Sequence, residues 1–185
     1  MTKFLIDDAG WLQSAEVIRS PNFDARPGHA QIKLIVVHGI SLPPGDYGGG
    51  HIQSFFCNNL DADAHPYFES ICNLTVSAHC LVERDGNVVQ FVSFQDRAWH
   101  AGESEWCGES ACNNFSVGIE LEGCDDQAYD EPQYQTLASL VGALRQRYPE
   151  IDSDAITGHS DIAPTRKTDP GPAFDWARLQ RLLML

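Results

Sequence analysis

Positive charge is scarce in this chain: 12 lysines and arginines stand against 26 aspartates and glutamates, a formal net charge of −14 over 185 residues. Such a field repels phosphate backbones and anionic lipid headgroups, so neither a nucleic acid nor a membrane is an expected partner. Long apolar runs are missing too, and nothing approaches the ~20 apolar residues of a membrane-spanning helix. The first residues, Met1 to Asp8, hold no basic stretch followed by an apolar run. Export is therefore not expected, and the expected location is the cytoplasm. The six cysteines contain no Cys-x-x-Cys pair, which argues against a thiolate zinc knuckle. In a reducing compartment they read as small core residues rather than disulfides. Internal repeats, low-complexity tracts and linker-like shifts in composition are also lacking. What remains is an ordinary apolar fraction over the length of one domain, residues 1–185, able to bury roughly 70% of its unfolded surface.

The apolar run Ile32 to Val37, bounded by His38, predicts a strand buried on both faces. It leads into the segment Ser41 to Gly50, where prolines and glycines forbid regular structure. Val76 to Glu83 and Val88 to Val92 flank Arg84-Asp85-Gly86-Asn87, a hairpin signal because Asp-Gly tolerates positive φ. Val117, Ile119 and Leu121 alternate with Gly118, Glu120 and Glu122, the pattern of a half-buried strand. Asp130 as N-cap and Pro132 in the first turn open a helix. It carries Tyr134, Leu137, Leu140, Val141, Leu144 and Tyr148 at helical spacing and stops at Pro149. A last helix is predicted over Trp176 to Met184, with Leu179, Leu182 and Leu183 inward. Strands mixed with helices predict an α/β fold, a central mixed β-sheet flanked by helices.

Seven histidines invite individual scrutiny. His38 closes a buried strand and opens a glycine-rich loop, the kind of place where α/β folds hold reactive groups. His159 and Asp169 enclose a proline-containing loop and are able to converge from its two ends. Lys167 and Asp169 are two apart, so in an extended segment both point into one site. Two imidazoles and one carboxylate around a zinc leave a fourth position for water, as catalytic sites require. Spacing alone leaves open a salt-bridged surface loop instead. It also does not choose between Glu120 and Glu122, which share a strand face.

Five segments carry a resemblance. They are Val37 to Gly45, Val76 to Cys80, Arg97 to Gly102, Gly118 to Gly123 and Arg166 to Gly171. Together and in this order the chain resembles the AmpD family of 1,6-anhydro-N-acetylmuramyl-L-alanine amidases, relatives of phage amidases and peptidoglycan-recognition proteins, from about Gly10 to Arg178. The resemblance implies one zinc per chain, held by His38, His159 and Asp169 at one edge of a surface cleft. It implies Glu120 and Lys167 as the catalytic pair, with Glu120 handling the proton of the attacking water and Lys167 facing the developing oxyanion. Trp99, His100 and Arg166 are then expected to contact substrate. The implied substrate is a small soluble muropeptide from wall turnover, cut between the lactyl group and L-alanine, by a protein expected to be a monomer.

Glu122 is left as a solvated or structural carboxylate, and His29, His51, His65 and His79 are left with structural roles. Two departures from the family pattern stand out. Gly39 replaces an asparagine and Ala111 an arginine, both expected to be polar groups near the sugar or peptide. The segment from Pro43 to Asn59 is expected to form a mobile cover over the cleft. Two other readings are an amidase acting on intact wall, and a zinc-free module that binds muropeptide without cutting it.

Overall fold

The computed structural model describes residues 4–28 and 30–184, so His29 and residues 1–3, read above for an export signal, lie outside the described residues. Ten strands form among the described residues: β1 (Glu16–Val17), β2 (Phe23–Ala25), β3 (Leu34–Ile40), β4 (Cys80–Val82), β5 (Val88–Gln90), β6 (Asp96–Ala98), β7 (Glu105–Trp106), β8 (Glu109–Ser110), β9 (Ser116–Glu122) and β10 (Ile156–Gly158). Six of them make one mixed sheet in the order β1-β5-β4-β9-β3-β10. Every pairing in it is parallel except the β4–β5 hairpin. That hairpin turns at the predicted place, with Gly86 at φ 88°.

Strand β3 is the apolar run of the sequence, and Leu34 to Val37 are fully buried as expected. It does not stop at His38, however, but continues two residues further to Ile40. Helix α3 (Glu131–Arg147) starts at Asp130 with a capping box through Gln133, and Tyr148 ends it ahead of Pro149. Leu137, Leu140, Val141 and Leu144 pack onto Ile35, Val37, Val117, Ile119 and Leu121, which share one face of the sheet. The C-terminal helix α5 (Trp176–Leu183) adds Leu179 to the same layer, with Leu182 and Leu183 partly buried beside it. The other sheet face meets shorter elements. Leu81 and Val89 pack with Ile52, Phe55 and Phe56 of helix α1 (His51–Phe56) and Phe68 of helix α2 (Pro66–Glu69).

One expectation needs correction. Strand β9 is buried along all seven residues, not along one face. Its polar face, Ser116, Gly118, Glu120 and Glu122, turns away from α3 and is covered by histidines and by the loop that follows β3. Alternation therefore marks a polar interior here rather than a solvated surface.

Candidate metal centre

Parallel pairing brings the chemistry together. Glu120 of β9 stands opposite His38 of β3 in the sheet register. On the other side of β3, Gly158 at the end of β10 pairs with Val37. His159 follows at once, as the first residue of the short helix α4 (His159–Ile162). The chain then loops back, and the Ser160 amide donates to the Asp169 carbonyl at 2.9 Å, closing the loop between the two predicted ligands.

The result is a tight triangle. Nδ1 of His38, Nδ1 of His159 and Oδ2 of Asp169 lie 3.0–3.2 Å from one another. Both imidazoles are buried and Asp169 is half-buried. Nε2 of His159 lies 3.1 Å from the Ala101 carbonyl, which only accepts, so a proton on Nε2 is satisfied there and Nδ1 is available to the triangle. Burial lowers the pKa of His38 to about 4, against the pull of Asp169, so this ring is neutral near pH 7. Two imidazoles and a carboxylate aimed at one point form a donor set that attracts a divalent cation, with room for an exchangeable fourth ligand. The residues fit a metal.

Glu120 completes the arrangement. Its Oε2 is buried and has no hydrogen-bond partner among the described residues. Burial, and then the charge of Asp169, push its pKa well above the usual carboxylate range, while Lys167 opposes the shift. A buried carboxyl with an unused oxygen beside the His38–His159–Asp169 triangle has the raised proton affinity that acid–base chemistry draws on. Lys167 makes no ion pair among the described residues and lines the same cleft. That cleft has a volume of about 750 Å³. It combines the polar groups His38, Glu120, His159, Lys167 and Asp169 with apolar walls from Phe55, Tyr67, Ile71, Leu74 and Trp99.

The structure thus separates the two glutamates that sequence left equivalent. Glu122 is not in the cleft. Its Oε1 accepts the Gly48 amide at 2.5 Å and its Oε2 the Arg84 amide at 3.3 Å, fastening the glycine loop to the β4–β5 turn. The predicted substrate contacts are also sorted. Trp99 lines the cleft, its Nε1–H donating to Asp24 at 3.3 Å. His100 lines it as well, but both ring nitrogens are engaged, with His38 at 2.9 Å and Ser116 at 3.1 Å. Arg166 stands apart, donating to the Ala101 and Glu103 carbonyls and bordering a neighbouring depression together with Ala111.

Gly39 has its own explanation. A Cβ there would lie 2.2 Å from the Tyr129 hydroxyl, which donates to the Pro170 carbonyl at 2.9 Å. The direction in which a side chain would leave residue 39 is filled by Tyr129, next to the Asp169 loop. Among the other described histidines, His65 Nδ1 caps α2, His51 packs on Phe68, and buried His79 bridges the Gly118 amide and the Asp96 carbonyl. Ser116 and Tyr129 went unnoticed in the sequence because no local pattern marks them, and Gly118 was read only as one position of the β9 alternation.

Comparison with known proteins agrees with this geometry. The N-acetylmuramoyl-L-alanine amidase family matches residues 28–172. The 1,6-anhydro-N-acetylmuramyl-L-alanine amidase AmpD of Citrobacter freundii is 54% identical over 176 residues, 95% of this chain and 94% of that protein. The crystal structure of a selenomethionine derivative of AmpD superposes with a TM-score of 0.94 at 54% identity, covering 97% of this chain and 99% of that one. A more distant neighbour is the amidase AmiD of Escherichia coli in complex with anhydro-N-acetylmuramic acid-L-Ala-D-γ-Glu-L-Lys. It has a TM-score of 0.61 at 27% identity, over 96% of this chain and 65% of that one. A shared sheet, an AmpD match along nearly the whole chain and a cleft with a metal-ligand triangle lead to one conclusion: the chain belongs to the N-acetylmuramoyl-L-alanine amidase family, in its AmpD branch.

Proposed function

We propose that this protein is a zinc-dependent hydrolase that cuts the amide bond between the lactyl group of 1,6-anhydro-N-acetylmuramic acid and L-alanine in soluble fragments of wall turnover. The observation that carries the reading is the His38–His159–Asp169 triangle with the unpartnered Glu120 oxygen in the same cleft. The AmpD relatives, and the anhydro-muramyl tripeptide held by the AmiD neighbour, support the choice of substrate.

His38, His159 and Asp169 would hold the zinc, which when bound supplies Lewis acidity, acidifying a water and polarising a carbonyl. Glu120 accepts the proton of the attacking water and delivers it to the departing alanine nitrogen. The burial that raises its proton affinity suits it to both halves of that transfer. Lys167 brings a positive charge to the cleft, where it opposes the negative charge developing on the amide oxygen. Trp99 offers an aromatic wall for the sugar or the peptide, with the ring of His100 beside it. Arg166, outside the cleft, supports the 101–103 turn against which His159 is fixed.

The protein works as a single amidase domain, as a monomer, in the cytoplasm. All six cysteines are free thiols, which suits a reducing compartment, and no helix among the described residues is long and apolar enough to cross a membrane. Mass spectrometry of products from anhydro-muramyl tripeptide and from intact sacculi tests the reading. Release of free peptide from the soluble fragment, with sacculi nearly untouched, is the expected result. Equal release from both would favour an amidase of intact wall, and release from neither a binding module.

A further inference from the structure

A metal-ligating imidazole has to present a bare nitrogen, and its other nitrogen decides whether it does. For His38 that second nitrogen, Nε2, lies 2.9 Å from Nδ1 of His100. Two imidazole nitrogens facing one another share one proton, so either ring is able to hold it. Which one does is set further along the chain of contacts. Nε2 of His100 lies 3.1 Å from Ser116 Oγ, and that hydroxyl lies 2.6 Å from the Cys112 carbonyl.

Two proton placements close this chain, one with His38 Nδ1–H donating to Asp169 and one with that nitrogen bare, and the shorter of the two Ser116 contacts, the one to the Cys112 carbonyl, selects the second. The Cys112 carbonyl only accepts, so the single Ser116 proton points to it. Ser116 Oγ then accepts from His100, which places the His100 proton on Nε2. His100 Nδ1 is left bare and accepts from His38 Nε2–H. His38 Nδ1 is left bare in turn, aimed at His159 Nδ1 and Asp169 Oδ2. We propose that His100 and Ser116 are positioning residues, a relay that begins at the Cys112 carbonyl and fixes His38 in the tautomer able to bind metal. The inference rests on the metal reading proposed above.

The fold is built around this relay. Ser116, Gly118 and Glu120 follow one another on one face of β9. A Cβ on Gly118 would lie 2.4 Å from Cγ of His100, so only glycine lets the ring lie against the strand. The His100 backbone is held as well, since Asn113 Oδ1 accepts the amides of His100 and Ala101 at 3.2 and 2.8 Å. Ser116 is completely buried and makes no contact with the metal triangle itself.

The test uses the full chain in four forms: natural, Ser116→Ala, His100→Leu and His100→Asn. Zinc affinity is measured by competition with a chromophoric chelator. Ser116→Ala lets His100 move its proton to Nδ1, which forces one onto His38 Nδ1. His100→Leu removes the acceptor altogether. Both should weaken zinc binding roughly 10–100-fold. His100→Asn returns an acceptor oxygen near the position of Nδ1 and should recover most of the loss, which a merely space-filling role does not predict. Long-range ¹H–¹⁵N spectra of the metal-free chain supply a second readout, with His38 expected as the Nε2–H tautomer in the natural protein and as a mixture in Ser116→Ala. A proton on His38 Nδ1 in the natural chain would overturn the relay, as would unchanged zinc affinity in both Ser116→Ala and His100→Leu. Failure of the natural chain to bind any divalent metal would instead sink the metal reading, while the tautomer spectra still decide the relay.

Discussion

Replacing Glu120 by glutamine separates chemistry from architecture. The substitution keeps the size and shape of a side chain that sits opposite His38 in the sheet register. Its Oε2 has no partner to lose among the described residues, and burial already favours an uncharged group there. Glu120→Gln should therefore fold, retain its metal and match the natural protein in thermal stability. What it loses is the ability to take a proton, because an amide oxygen is far too weak a base. A general base contributes about 10²–10⁴-fold, or roughly 3–5 kcal/mol of transition-state stabilisation. Glu122→Gln should behave in the opposite way. One of its oxygens becomes an amino group facing a backbone N–H, either that of Gly48 or that of Arg84. An unsatisfied donor at that buried position should cost about 1–3 kcal/mol of stability, with little direct effect on the bond-breaking step. Steady-state kinetics on anhydro-muramyl tripeptide, alongside urea denaturation, read both quantities. If Glu122→Gln lost turnover and Glu120→Gln lost only stability, the assignment of the base would be wrong.

Two further outcomes follow from the same contacts. The cover expected over Pro43 to Asn59 is divided by the structure, since His51–Phe56 is a helix with Ile52 and Phe56 in the core, whereas residues 43–50 hang on the Glu122–Gly48 and Ser41–Gly45 contacts. Hydrogen exchange with and without a product analogue should change at residues 45–50 and not across the helix; equal change in both, or none, would refute a cover confined to the glycine loop. Acid should weaken the metal-free fold, because burial, with Arg26 nearby, lowers the pKa of His79 to about 3, and burial lowers that of His38 to about 4. Below the unfolded value of 6.5 the unfolded chain takes up protons that the fold refuses, so stability falls as pH falls, by about 1.4 kcal/mol per pH unit for each such histidine. Glu120, whose pKa burial raises, works in the other direction, so the clean reading is the difference between the natural chain and His79→Asn at pH 7 and pH 5. His79→Asn should lose roughly 2 kcal/mol less over that interval, and an identical loss in both chains would refute the reasoning.

Much of the fold was legible because its signals are local. The Asp130 N-cap and apolar stripe of α3, the Asp85-Gly86 turn and the apolar run of β3 each lie within a few residues of chain. The candidate metal ligands were legible for a different reason: spacing made His38, His159 and Asp169 candidates, and the family resemblance chose them over a salt-bridged surface loop. The polar face of β9 was misread because alternation reports which residues face a different environment, not whether that environment is water. Here it is an interior of histidines. The relay was invisible for a related reason. His38, His100 and Ser116 lie 62 and 16 residues apart, and only the β3–β9 register together with the close approach at Gly118 brings them into line. Gly39 looked like a missing substrate contact because sequence does not show Tyr129 filling the space beside it.

The account stands on a metal held by His38, His159 and Asp169 and required for amide hydrolysis. The most direct measurement combines elemental analysis of the purified chain with turnover of anhydro-muramyl tripeptide before chelation, after chelation and after reloading with zinc. The prediction is one zinc per chain, activity lost with the metal and restored with it, and neither metal nor activity in Asp169→Ala. Full turnover by rigorously metal-free protein, or stoichiometric zinc retained by Asp169→Ala, would contradict it.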